Sequence, residues 1–151
     1  MSKTYKLTID LAPVAQARPR AAKTRGRSKQ AKIIVYDPPE VKAYKRYLNV
    51  VAKRMWDERH LVPLEGPIKL SIRFYRAVQK GLSKKERELR LSGVHRPTVK
   101  PDLDNYVKST LDGLNGVIWT DDNAIIKIEA EKYYSDQPRV EIVMEVEDDD
   151  E

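Results

Sequence analysis

The 151-residue chain has no cysteine, one phenylalanine and two histidines, His60 and His95. Without cysteine there is no disulfide framework, no thiolate zinc site and no cysteine nucleophile. Two distant histidines give little material for a His-rich metal centre or a Ser/His/Asp triad. Long apolar runs are missing too: the longest, Ile33-Ile34-Val35-Tyr36, falls far short of the ~18–20 residues a membrane span requires. The opening MSKTYKLTIDLAP alternates in polarity and lacks the apolar block of a secretory signal. The expectation is a soluble, cytoplasmic protein with no membrane contact. Apolar residues amount to 40%, under the usual ~45–50%, so the core is lean. At this length one domain is expected over residues 1–146, with 147–151 as a solvated acidic tail.

Charge is unevenly spread. Residues 1–60 hold 15 of the 29 Lys/Arg and 5 of the 23 Asp/Glu, a net of +10 against −4 for the remainder. Arg18, Arg20, Lys23, Arg25, Arg27, Lys29 and Lys32 place seven cations in fifteen positions without one acid. That block is too self-repelling to pack as core and reads as a mobile loop over 18–32, suited to a polyanion or simply solvated.

Four segments alternate with period two: Tyr5-Leu7-Ile9-Leu11, Ile68-Leu70-Ile72-Phe74, Ile126-Ile128-Ala130 and Val140-Ile142-Met144-Val146. Turn residues at Ser135–Pro138 predict that the last two pair as an antiparallel hairpin. One-sided alternation predicts a sheet with one face covered and the other wet or met by a partner. Asp37 as N-cap and Pro38 as first helical residue announce a helix with Val41, Tyr44, Leu48, Val51 and Met55 on one side, ending before Pro63. A second helix runs from Leu103 to Leu114, stopped by Asn115-Gly116. Lys84 to Leu91 predict a short charged helix inside an excursion over 78–99. The fold class is α+β in the order β-α-β-α-β-β: a mixed four-stranded sheet with two helices on one face.

Acidic residues concentrate between 100 and 123. Asp102 sits at the predicted N-cap of the second helix, Asp104 in its first turn, and Lys108 and Asp112 follow at one-turn intervals. A cap, a dipole-favoured acid and an ion pair account for many such patterns without any chemistry. Asp121 and Asp122, directly before a strand, add two more acids where the strand can abut the helix entrance. Two carboxylates ~4 Å apart repel by about 4 kcal/mol at an effective dielectric near 20, so such a cluster seeks a cation. With few histidines and no thiolate the ion is hard, Mg²⁺ or Mn²⁺, able to activate water and neutralise a phosphoryl group. Lys108 is placed to orient that water or to stabilise charge at phosphorus.

The stretch Lys100-Pro-Asp-Leu-Asp-Asn-Tyr-Val-Lys108, with Leu111-Asp-Gly-Leu-Asn-Gly116 and Trp119-Thr-Asp-Asp122, resembles the RusA family of Holliday-junction resolvases. Gly113 stands where the family usually has alanine, and the N-terminal arm and the 78–99 excursion depart from it in length. The resemblance implies that Asp102, Asp104 and Asp122 bind the metal, with Asp121 as a less certain ligand, and that Lys108 is catalytic. It also implies a homodimer that nicks symmetric strands of a four-way DNA junction. With that partner, Arg18–Lys32 become a phosphate clamp, helped by Lys80, Lys84 and Lys85. Arg18-Pro19-Arg20 is expected either to lie close enough to the acids to steady the scissile phosphate or to serve as a plain phosphate anchor. The expected function is a Mg²⁺-dependent, structure-specific endodeoxyribonuclease. A non-catalytic branched- or duplex-DNA binder is the first rival. A sugar transferase is a second, weakened by the lack of a Gly-rich phosphate loop. His60 is expected to serve the first helix's C-terminus, and His95 is a possible neighbour of the acids. Trp56 and Trp119 are read as packing in the core or in a dimer seam, and Tyr133-Tyr134 as an exposed face that a dimer partner covers.

Overall fold

Period-two alternation becomes a four-stranded sheet in the computed structural model, which describes residues 2–24 and 32–147. Its strands are β1 (Ser2–Ile9), β4 (Ile68–Ala77), β5 (Ile125–Ser135) and β6 (Arg139–Glu147), ordered β1-β6-β4-β5. β6 runs antiparallel to both β1 and β4, and β4 pairs with β5 in parallel, so the sheet is mixed. The helices α1 (Pro39–Glu58) and α3 (Leu103–Leu114) contribute Tyr44, Leu48, Trp56, Tyr106 and Leu114 to one core with Leu7, Leu70, Ile72, Phe74, Ile142 and Met144. A third helix, α2 (Lys84–Leu91), forms over the predicted residues, capped by Ser83 Oγ accepting from the Glu86 amide at 3.2 Å. No helix of the described residues is long and apolar enough to cross a membrane.

Five expectations are corrected. The predicted β5–β6 hairpin is not made, because β4 lies between the two strands. Tyr75 of β4 is flanked by Tyr133 on one side and Arg139 on the other. The turn residues mark where the chain reverses but not which strand it meets. A gap of roughly 10 Å between alternate strands is within the reach of Ser135–Arg139. β4, whose Ile68, Leu70, Ile72 and Phe74 are all buried, takes the central position. β5 takes the edge, where Ile126 and Ile128 stay 61% and 43% exposed.

Arg20–Thr24 (β2), inside the stretch 18–32 read as a mobile basic loop, pairs with Lys32–Tyr36 (β3), which begins at its last residue, as an antiparallel ribbon. The β-branched run Ile33-Ile34-Val35 supplies the strand propensity that the charge pattern obscured. Arg25, Arg27 and Lys29 lie outside the described residues, as do 148–151 of the acidic tail. Glu147, read as the first tail residue, instead closes β6 and lies 3.8 Å from Lys69.

The N-cap of α1 is Pro38 rather than Asp37, whose carboxylate is taken by side chains described below. His60 serves the helix end through its backbone: at φ 57° its amide donates to Asp57, and the Leu61 amide donates to Trp56. These two bonds close the helix as a left-handed cap usually built on glycine.

Tyr133 and Tyr134, as neighbours on a strand, point to opposite faces. Tyr134 is buried, while Tyr133 stacks on Tyr75 at 5.3 Å on the helix-free face. Arg96 and Arg139 close the ends of that stack, 4.1 Å from Tyr133 and 3.9 Å from Tyr75. Both tryptophans are core, as expected, at 1% and 0% exposure.

The seam between α1 and α3 is tight at Gly113. A Cβ there would stand 2.9 Å from Leu48 Cδ1 and 3.2 Å from Lys45 Cα. Gly113→Ala gains about 1 kcal/mol of helix propensity but meets an overpacking cost of about 1–3 kcal/mol. The expected net result in urea unfolding is a loss of about 1 kcal/mol. A more stable variant would show that the helices part without cost.

Candidate active site

Helix α3 presents the acids as the sequence predicts, with Asp102 at its N-cap and Asp104 in its first turn. Asp102 does not cap: its side chain makes no bond to the helix amides. Its ordinary structural use is therefore unfilled. Neither Asp102 nor Asp104 has a hydrogen bond or ion pair from its carboxylate among the described residues, and both are exposed.

Two sets of contacts fix the approach to this helix end. From one side the strap after β1 crosses α3: the Gln16 amide donates to Asn105 O at 2.8 Å, and Ser109 Oγ donates to Val14 O at 2.6 Å. From the other side, Arg76 Nη1 of β4 donates to Lys100 O at 2.9 Å. Lys132 Nζ of β5 donates to Val99 O at 3.3 Å and to Pro101 O at 3.1 Å. Three successive carbonyls ahead of Asp102 are thus held by two cations of the sheet. No local motif announces Arg76 or Lys132; only the parallel β4–β5 pairing brings them to the loop.

Strap and helix entrance enclose a groove of about 680 Å³ lined by Gln16, Arg18, Glu40, Lys100, Asp102 and Asn105 among others. The structure thereby brings Arg18 to the same groove as Asp102. Glu40, which the sequence assigns only to the start of α1, lines it too. Gln16 keeps a buried amide oxygen, Oε1, without a hydrogen-bond partner among the described residues.

A charged chain extends along the α1–α3 seam. Lys45 Nζ lies 2.7 Å from Asp37 Oδ2 and 3.2 Å from Asp112 Oδ2, and Gln16 Nε2 donates to Asp37 Oδ1 at 2.9 Å. The Lys45 ammonium, then Gln16, hold the Asp37 carboxyl below the usual range, with a smaller pull from Lys108. Lys108 itself is exposed one turn after Asp104.

Asp122 begins a single 3-10 turn, Asp122–Ala124, before β5. Its Oδ1 accepts from Trp119 Nε1 at 2.6 Å, and its amide donates to Asn115 Oδ1 at 3.1 Å. Burial raises the Asp122 carboxyl above its ordinary value; the Trp119 bond opposes this, and the charges of Asp112 and Asp121 add to it. Its charged neighbours are therefore Asp112 and Asp121, with Asp121 exposed beside it. Among the described residues, no three Asp, Glu or His side chains are gathered closely enough to hold an ion.

The cations divide. Arg20 and Lys23 lie on β2 and Lys32 on β3, while Lys80, Lys84 and Lys85 are exposed before and at the start of α2. His95 does not approach the acids: its Nδ1 lies 3.0 Å from Glu86 Oε1 on α2.

Comparison with known proteins bears on the same residues. A Bacillus subtilis (strain 168) protein, "Uncharacterized protein YqaN", is 38% identical over 141 residues, spanning 92% of this chain and 94% of that protein. The family model described as "Endodeoxyribonuclease RusA" matches residues 10–145, a span running from the strap through α3 to β6. By that match the chain belongs to the RusA endodeoxyribonuclease family.

Proposed function

We propose that this chain is a divalent-metal-dependent endodeoxyribonuclease that resolves four-way DNA junctions by paired incisions as a homodimer. The observation that carries it is the helix entrance, where an N-cap aspartate that does not cap shares a groove with Arg18. The donor chemistry fits a hard ion: carboxylate oxygens without thiolates, and Asp122 in surroundings that penalise its charge. Asp102, Asp104 and Asp122, with Asp121 as a further oxygen donor, would hold Mg²⁺, or Mn²⁺ in its place, only once drawn closer together than they stand here. A bound ion of this kind makes water more acidic and polarises a phosphoryl oxygen.

The chain's own residues do the rest. Arg18 offers a bidentate guanidinium to the scissile phosphate at the groove wall. Lys108 offers a point charge that meets the negative charge growing at phosphorus. Arg20, Lys23 and Lys32, with Lys80, Lys84 and Lys85, hold phosphates of the arms without reading bases. Arg25, Arg27 and Lys29 belong to the same basic run in sequence.

The test is a synthetic mobile four-way junction with one labelled strand per arm. Symmetric incisions in two opposing strands are expected with Mg²⁺ and none with EDTA. Binding in EDTA should weaken about 10³–10⁵-fold between 50 and 200 mM salt if about six phosphates are neutralised. Tight binding with no incision under either condition would leave the non-catalytic binder standing.

A further inference from the structure

The β2–β3 ribbon carries apolar side chains on both faces and buries none of them. Its register pairs Arg20 with Tyr36, Ala21 with Val35, Ala22 with Ile34 and Lys23 with Ile33. Strand alternation then puts Ile33 and Val35 on one face with Lys23, and Ile34 and Tyr36 on the other with Arg20. Ile33 and Val35 are 67% and 65% exposed, Ile34 and Tyr36 48% and 43%. Such a ribbon adds nothing to the core and invites unwanted pairing, so its side chains call for a partner.

We propose that the ribbon is a wedge that enters the opening of a four-way DNA junction, setting its two apolar faces against bases of the arms on either side. This rests on the reading of the substrate as branched DNA. Three observations select that occupant. A single flat protein surface covers one face of a ribbon, whereas two apolar faces need something that lies on both sides, as the arms at a crossover do. No acid occurs between Arg18 and Tyr36, so every charge on the ribbon is of the sign that phosphates attract.

Third, both roots of the ribbon are fastened at the candidate active site. On the β2 side, Gln16 is bonded to Asn105 and Arg18 lines the groove with Asp102. On the β3 side, Asp37 follows Tyr36 and is held by Lys45. Apolar side chains inserted at a base step unstack it, and a step opened here lies next to the groove that takes the phosphate.

The experiment uses the full chain in EDTA, so that nothing is cut. One ligand is a four-way junction with 2-aminopurine at the crossover, and the other is a duplex of the same arm sequence. Wild-type protein should prefer the junction and raise its fluorescence on binding. In the Ile33→Ser/Val35→Ser variant, and separately in Ile34→Ser, the rise should vanish. Junction affinity should fall roughly tenfold while duplex affinity, thermal midpoint and sedimentation mass stay unchanged.

A variant that keeps the fluorescence rise and the preference overturns the wedge alone. A variant whose mass falls overturns it in favour of a seam between two copies of the chain. Wild-type protein with no preference for the junction overturns the wedge together with the branched-DNA reading.

Discussion

Asp104→Asn should abolish junction cutting while leaving junction binding intact or tighter. The carboxylate stands exposed in the first turn of α3 without a partner among the described residues, so its loss breaks no contact that holds the fold. The structural cost is confined to the favourable charge at a helix N-terminus, about 0.3–1 kcal/mol. The catalytic cost is of a different order. Removing one preorganised electrostatic group from an active site costs about 10²–10³ in rate, or roughly 3–4 kcal/mol of barrier. Binding moves the other way, because a negative charge facing phosphate repels it by about 1–4 kcal/mol at 4 Å, depending on the local dielectric.

The measurement is a pair of curves on one junction: incision rate with Mg²⁺ and affinity in EDTA. Loss of both together would assign Asp104 to folding or to docking rather than to chemistry. Unchanged cutting would remove the α3 entrance from the active site. The same separation is expected for Asp102→Asn, since its carboxylate makes no cap bond whose loss would unravel the helix.

Helix α3 was legible to the residue because its signals are local: apolar spacing, an acid at the entrance and Asn115-Gly116 at the exit. The same holds for α2 and for the existence of all four sheet strands. Strand adjacency was not legible. Whether β6 lies beside β5 or beyond β4 depends on which strand is apolar enough for the centre, a competition among segments about sixty residues apart. The ribbon was missed because seven cations drew the reading toward repulsion, while Ile33-Ile34-Val35 carried the strand signal without an alternating polar partner.

At the site, the sequence identified the acids but not their company. It sets Asp122 toward Asp102 and Asp104, and nothing local in it announces that Trp119 Nε1 donates to the Asp122 carboxylate. Asp37, read as a cap, is instead the end of a Lys45-centred chain that ties α1 to α3 through Asp112. Arg76 and Lys132 carry no motif, and Glu40 only that of a helix start. Their roles arise only when the strap, β4 and β5 are folded against α3.

Lys132→Met should lower kcat for junction incision by about 10–100-fold with little change in KM. Lys132 is a positioning residue: it touches neither acid but bridges the carbonyls of Val99 and Pro101, with Arg76 on Lys100 between them. Hydrogen bonds from a charged donor contribute about 1.5–3 kcal/mol, and losing both at once frees the loop that sets where Asp102 points. A displacement of about 1 Å at a reacting group is enough for a hundredfold loss. The phosphate contacts proposed for Arg18 and the ribbon lie elsewhere, so KM should hold. A role limited to stability would lower the thermal midpoint and leave the rate below it untouched. A positioning role instead raises the Mg²⁺ concentration needed for half-maximal cutting. Lys132→Arg, which keeps the charge and the donors, should recover most of the lost rate; failure to recover with an unchanged Mg²⁺ requirement would reduce the Arg76–Lys132 grip to packing.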